Sequence, residues 1–245
     1  MSLELLQALK VLKEKQWVDL THTFGPNSPH FSAFDAAEIK TLFNHDDGFF
    51  AQAFTFAGQY GTHIDAPIHF VRDTRYLEEL ELKELVLPLV VIDKSQEAKE
   101  DNNYTLTKED IISFEEEHGE IEEGAFVALR TDWSKRWPDV EAFNNKDMEG
   151  NNRAPGWGIK ALKFLFEQRK IKAIGHETFD TDSAIDYQRN GTLLGEYYVL
   201  ERDTYQIELL TNLDKIPAKG SVIFNIVPKP EKASGFPVRS FAILP

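Results

Sequence analysis

Two histidines and an aspartate crowd one short stretch, Gly58–Phe70 (GQYGTHIDAPIHF), in a chain with only seven histidines. His63 and Asp65 stand two apart, and His69 follows beyond Pro67. An imidazole and a carboxylate at i and i+2 of an extended segment point to the same side and can converge on one cation. Pro67 forbids a regular helix and turns the chain, so that His69 re-enters from another direction. Histidine and carboxylate without thiolate suit zinc or manganese with an open coordination position. Such a metal lowers the pKa of a bound water toward about 7 and polarises a carbonyl oxygen. A free imidazole beside it can move protons near neutral pH. The bland alternative is a histidine hydrogen-bonded to a neighbouring acid, which H-x-D triplets often are.

The elements that would hold these groups are strands more than helices. Phe50–Ala57 alternates aromatic and small residues, a period-2 signal. If that strand continues past Gly58, then Gln59, Gly61, His63 and Asp65 share its odd face, with Gly61 allowing close backbone approach and Thr62 bonding local backbone. Leu85–Asp93, with Pro88 at a bulge or edge, 125–130, 171–174, 221–227 and 238–244 read as further strands. Thr107–Asp110 reads as a capping box opening a helix toward Glu117, with Gly119 as its stop. A second helix is expected over Ile159–Gln168, and Leu5, Leu9 and Leu12 mark a short amphipathic one near the start. The polar stretches 95–103 and 141–153 read as solvated loops. No repeat or linker divides the chain, so residues 1–245 are expected to form a single α/β domain.

Composition narrows the partners. The formal net charge of −14 disfavours nucleic acid and anionic membrane surfaces. The chain has no cysteine, which excludes disulfides, thiolate metal sites and cysteine nucleophiles. The apolar run Leu85–Ile92 is too short to span a bilayer, and no signal peptide is apparent, so a cytoplasmic location is expected.

The string Gly61-Thr62-His63-Ile64-Asp65-Ala66-Pro67-Ile68-His69-Phe70 resembles the signature of the cyclase family of metal-dependent hydrolases, which includes bacterial kynurenine formamidases and isatin hydrolases. Six further stretches resemble that family's segments in order: Val18–His22 (VDLTH), Val127–Trp133 (VALRTDW), Ala154–Gly156, Ile174–Asp182 (IGHETFDTD), Glu208–Pro217 (ELLTNLDKIP) and Gly235–Ala242 (GFPVRSFA). The resemblance implies a β/β/α, barrel-like swivelling fold, a homodimer or homotetramer whose subunits can contribute to one another's sites, and a small-molecule substrate. It also implies metal ligation by His63, Asp65 and Glu208, with His69 as a second-metal ligand or a proton carrier.

Two positions depart from the family pattern. Gln59 replaces the first ligand histidine, and Glu196 stands where a late histidine is usual. Oxygen donors in place of nitrogen move the preference from zinc toward manganese or magnesium. The expected site is therefore one divalent metal, manganese or zinc, with His63, Asp65, Gln59, Glu208 and Glu196 as its candidate ligands and His69 as the catalytic base. His176, at a strand end, either joins the catalytic set or is a loop histidine bonded to Glu177 or Asp180. His22 is expected to be packed, and His118 exposed. Phe49, Phe50, Phe54, Phe56, Tyr60 and Phe70 are read first as core and second as a substrate pocket. The function implied is hydrolysis of an amide, lactam or related acyl bond. The alternative is a non-hydrolytic binding protein, or a cyclase or lyase, with an altered metal site.

Overall fold

The computed structural model describes residues 3–245, and among them the strand signals resolve into thirteen strands. They are Trp17–Asp19 (β1), Glu38–Phe43 (β2), Ala51–Thr55 (β3), His63–Asp65 (β4), Val86–Asp93 (β5), Thr105–Leu106 (β6), Phe126–Arg130 (β7), Gly156–Trp157 (β8), Ala173–His176 (β9), Gln206–Glu208 (β10), Ser221–Ile226 (β11), Gly235–Pro237 (β12) and Arg239–Ile243 (β13). The helices are Glu4–Glu14 (α1), Ser95–Glu100 (α2), Lys108–His118 (α3), Val140–Asn144 (α4), Ile159–Lys163 (α5), Ala184–Asn190 (α6) and Leu194–Leu200 (α7).

Nine strands form one mixed sheet in the order β1-β13-β11-β5-β7-β9-β10-β4-β12. The centre, β5-β7-β9-β10, is parallel, and antiparallel strands flank it on both sides. Parallel strands are buried on both faces, which explains the nearly continuous apolar runs of β5 and β7. Leu87, Leu89 and Val91 of β5 enter one core, while Val90 and Ile92 enter another. The first core takes a side chain from every strand of the sheet, from Val18 on β1 to Ala242 on β13. A sheet whose strands all reach one common core must curl around it, which gives the barrel-like shape. Helices α3, α5 and α7 cover the other face through Ile111, Phe114, Ala161, Leu162, Tyr198 and Val199.

Local rules explain several elements. Thr107 caps α3 in a reciprocal box with Asp110, and Gly119 ends it at φ +80°. Pro88 lies in mid-sheet, yet it pairs with Val222 of β11 before the pairing with β7 starts at Leu89. Its missing N–H therefore leaves no gap in a ladder. The second expected helix is α-helical over Ile159–Lys163 and widens to a π-helix over Phe164–Gln168.

Two expectations are corrected by packing. The stretches 95–103 and 141–153 contain α2 and α4. Each buries a single apolar residue, Ala98 and Phe143, which is too little to show as periodicity. The strand at Phe50 also does not run on through Gly58. It ends at Thr55, pairs only with β2, and forms a two-stranded hairpin outside the main sheet. Phe49, Phe50 and Phe54 on this hairpin are more than half exposed, so they belong neither to the core nor to a closed pocket. A loop then leads to β4. At Gly61 the backbone takes φ +64°, and a Cβ there would lie 2.8 Å from the Phe24 ring, so only glycine fits.

Candidate metal centre

The three-residue strands β4 and β10 pair antiparallel, with Glu208 opposite His63 and Gln206 opposite Asp65. Directly opposed residues point to the same side of a sheet. The middle residues, Ile64 and Ile207, enter the barrel core. Their neighbours His63, Asp65, Gln206 and Glu208 must therefore face the other way, where α7 presents Glu196. All five of these polar side chains are buried.

The geometry inside this cluster is that of a cradle. His63 Nδ1 lies 2.8 Å from the Gly61 carbonyl, which places a ring proton on Nδ1 and makes Nε2 the atom that can meet a cation. Nε2 is buried without a well-formed hydrogen bond, 3.3 Å from Glu208 Oε2 and 3.5 Å from Asp65 Oδ2. One nitrogen and two carboxylate oxygens thus converge without bonding one another. The donor atoms of His63, Asp65 and Glu208 can all reach one ion. Asp65, His69 and Glu196 form a second such group that shares Asp65. His69 sits on a short turn, Pro67–His69, with its Nε2 3.9 Å from both Asp65 Oδ1 and Glu196 Oε1. Its side chain is a quarter exposed, so it faces the open side of the cluster.

Amides and helix ends aim the carboxylates. The Gln206 amide nitrogen donates to Asp65 Oδ2 at 3.3 Å and Glu208 Oε1 at 3.0 Å, and its oxygen accepts from the Thr181 hydroxyl. Gln59 arrives on the loop before β4 and donates to Asp65 Oδ1 and to the Ser234 hydroxyl, each at 3.2 Å. As placed, its amide presents nitrogen to Asp65; a half-turn of the amide would present oxygen to the cradle instead. Backbone beneath it comes close, because a Cβ on Gly235 would lie 2.5 Å from the Gln59 nitrogen and 2.8 Å from Asp65 Oδ1. Asp182 accepts the backbone N–H groups of Gly195 and Glu196 at the start of α7, which fixes the direction of Glu196.

The electrostatics call for a cation. Burial disfavours a charged His63, but the Asp65 and Glu208 carboxylates outweigh that and hold its pKa well above the usual value. Burial likewise opposes ionisation of Asp65, and the adjacent His63 and His69 overcome it, bringing its pKa down to about 2. Glu196 is pushed well up by burial, then by Glu208 and Asp65. Crowded, desolvated carboxylates are costly unless a positive charge is shared among them. The orphaned His63 nitrogen and this excess of carboxylates fit a divalent cation.

His176 lies beside this cluster, on the far side of Glu208 from His63. The Trp157 indole N–H reaches its Nδ1 at 3.4 Å, so its own proton sits on Nε2, 3.5 Å from Glu208 Oε1. Neither Glu177 nor Asp180 is its partner. Glu177 instead accepts the Thr131 N–H and the Ser134 hydroxyl. His22 is packed, as expected: it stacks on Trp137 at 4.4 Å, and burial lowers its pKa to about 4. Arg239 pairs with Asp19.

The family model described as "Putative cyclase" matches residues 18–183. The chain belongs to the cyclase family. Among cyclase-family relatives, the isatin hydrolase of Roseibium aggregatum is 35% identical over 95% of this chain and 93% of that protein. Solved structures agree. An isatin hydrolase bound to the product analogue thioisatinate superposes with a TM-score of 0.91 at 31% identity, covering 100% of both chains. Isatin hydrolase A from Ralstonia solanacearum gives 0.92 at 29% identity, covering 100% of this chain and 98% of that one. These likenesses bear out the α/β, barrel-like cyclase fold and a family of metal-dependent hydrolases.

Reading the sequence by motif misses Gln206, Thr181 and Ser234, all of which bond to the cluster. For Gln206 a signal exists: it stands two before Glu208, the same spacing as in His63-x-Asp65.

Proposed function

We propose that this protein is a metal-dependent hydrolase that opens the amide bond of a small aromatic lactam of the isatin type. The observation that carries the reading is the convergence of His63 Nε2, Asp65 and Glu208, with the half-open His69 beside them, in a chain 35% identical to an isatin hydrolase. His63, Asp65 and Glu208 hold the cation, Glu196 adds charge beside His69, and Gln59 either ligates through its oxygen or steadies Asp65. With one imidazole nitrogen among oxygens, the donor set favours manganese over zinc. When bound, the cation polarises the substrate carbonyl and makes a coordinated water acidic near pH 7.

His69 takes the proton of the attacking water at Nε2 and returns it to the departing amide nitrogen. Asp65 and Glu196 stabilise the imidazolium between these two transfers. Gln206 keeps the Asp65 and Glu208 carboxylates turned toward His63. His176 Nε2, 3.5 Å from Glu208 Oε1 and without a well-formed hydrogen bond of its own, stands behind Glu208. The test is a hydrolysis screen of isatin, aryl formamides and simple amides, with protein stripped of metal and then supplied with manganese or zinc. Metal-restored turnover of the cyclic substrate, greatest with manganese, is the expected result; metal-independent turnover, or none on any amide, counts against the reading.

A second reading rests on the Asp65, His69 and Glu196 group, which has the spacing of a cation site of its own. In it His69 is a ligand and the centre holds two metals. The two readings part on a single substitution treated in the Discussion.

We also infer a homodimer or larger assembly. Hairpin β2–β3 exposes Ile39, Leu42, Phe43, Phe49, Phe50 and Phe54, and α1 buries none of its residues while exposing Leu5, Leu6 and Leu9. Exposed apolar surface on this scale marks an interaction face. Sedimentation at micromolar concentration should give at least twice the 28.0 kDa chain mass, and a monomer there would refute this. Among the described residues no helix is long and apolar enough to cross a membrane.

A further inference from the structure

We propose that Thr62 is a positioning residue for the metal centre, its hydroxyl locking a strained turn that aims Glu208 at His63. The inference rests on the metal reading above.

Leu209 follows Glu208 directly and has φ +58°. A non-glycine residue in the left-handed region is strained and persists only where its surroundings over-determine it. Three contacts hold Leu209 there, the first being its own N–H, which donates to the Thr178 carbonyl at 3.3 Å. Its side chain is buried against Trp133 and Phe143. Its carbonyl accepts the Thr62 hydroxyl at 2.6 Å, across 147 residues of sequence. The turn matters because β10 ends at Glu208, and the next residue sets how the chain leaves the site.

Thr62 can hold that carbonyl because its hydroxyl is committed in one direction. It accepts the backbone N–H of His22 at 2.9 Å, which leaves its single proton for Leu209. His22 is itself fixed by its stack on Trp137. Thr62 precedes His63 as Leu209 follows Glu208, so in this antiparallel register one buried hydroxyl clamps both strands together at the same end of a facing ligand pair. Removing it leaves the His22 N–H and the Leu209 carbonyl buried without partners and frees the strained turn to relax. Outer contacts of this kind tune metal affinity by about 10- to 100-fold.

The experiment titrates Mn2+ into metal-stripped full-length protein by calorimetry, alongside thermal unfolding of the metal-free chains. Thr62→Val, isosteric but without the hydroxyl, should weaken Mn2+ binding at least about tenfold, and Thr62→Ser should bind within about threefold of wild type. Glycine adopts positive φ without strain. In a Leu209→Gly background, the further effect of Thr62→Val should therefore shrink below about threefold, a coupling that a general loss of stability would not produce. Thr62→Ala carries the same comparison if the valine variant does not fold. The inference is overturned if the valine variant binds like wild type, if the serine variant binds as weakly as the valine one, or if the two substitutions are additive. A wild-type chain that takes up no Mn2+ overturns the metal reading itself, and this inference with it.

Discussion

Replacing His63 with alanine should abolish stoichiometric metal binding and lower lactam hydrolysis by about 10³-fold or more. His63 supplies the one nitrogen donor of its ligand group, and its buried Nε2 lies 3.3 Å from Glu208 Oε2 and 3.5 Å from Asp65 Oδ2. The variant keeps the Asp65, Glu208 and Glu196 carboxylates but removes the group that gathers two of them. A linked effect should accompany the wild type. Without metal, the neighbouring Asp65 and Glu208 carboxylates hold the His63 pKa well above its ordinary value, so Nε2 carries a proton at neutral pH. A cation must displace that proton, so affinity should rise with pH through the neutral range, with about one proton released per metal. Stability of the metal-free fold runs the other way. The His63 contribution is complete below the unfolded pKa of about 6.5 and fades as pH climbs through the raised folded value. Elemental analysis of His63→Ala and calorimetry of wild type in buffers of different ionisation heat measure both effects. Stoichiometric metal in the alanine variant would sink the ligand assignment.

His69→Ala should keep its metal while kcat falls by about 10²- to 10⁴-fold, the span usual for a lost general acid–base, with KM little changed. The side chain is a quarter exposed on the open side of the cluster, where a substrate can meet it, and its Nε2 is 3.9 Å from the nearest carboxylate oxygens. A proton carrier needs such access, whereas His63 beside it has almost none. Elemental analysis with steady-state kinetics decides the matter. If the variant loses half the metal of wild type, His69 is a ligand and the two-metal reading stands in place of this one.

How far the sequence foretells this site depends on the range over which its physics acts. The spacing of His63 and Asp65 is a local fact of extended chain, and β4 places both side chains on one face as that spacing requires. The capping of α3 by Thr107 is local as well. The meeting of β4 with β10 is not: Glu208 lies opposite His63 through a pairing that joins distant parts of the chain, and its position was suggested by family resemblance alone. For Gln206 the spacing to Glu208 is a local signal of a shared face, but its role as donor to two carboxylates exists only once β4 and β10 have paired. Gln59 reaches the cluster by a loop rather than by the strand that periodicity suggested, since β3 breaks off into its own hairpin. The exposed phenylalanines of that hairpin show the same limit from the other side, because composition tells how apolar a segment is and not what covers it.

The alternation along β4 and β10 has an evolutionary consequence. Ile64 and Ile207 serve the barrel, while His63, Asp65, Gln206 and Glu208 serve the opposite face. The two tasks are written in interleaved letters of the same short words. Point changes at the polar letters can explore other cations or other substrates while the apolar letters go on holding the scaffold. Loss or gain of one residue between Gly61 and Pro67 has no such latitude, since it exchanges the two alphabets at once, turning Ile64 toward the site and the ligands toward the core. This part of the chain should therefore change by substitution at its polar positions and hardly at all by insertion or deletion.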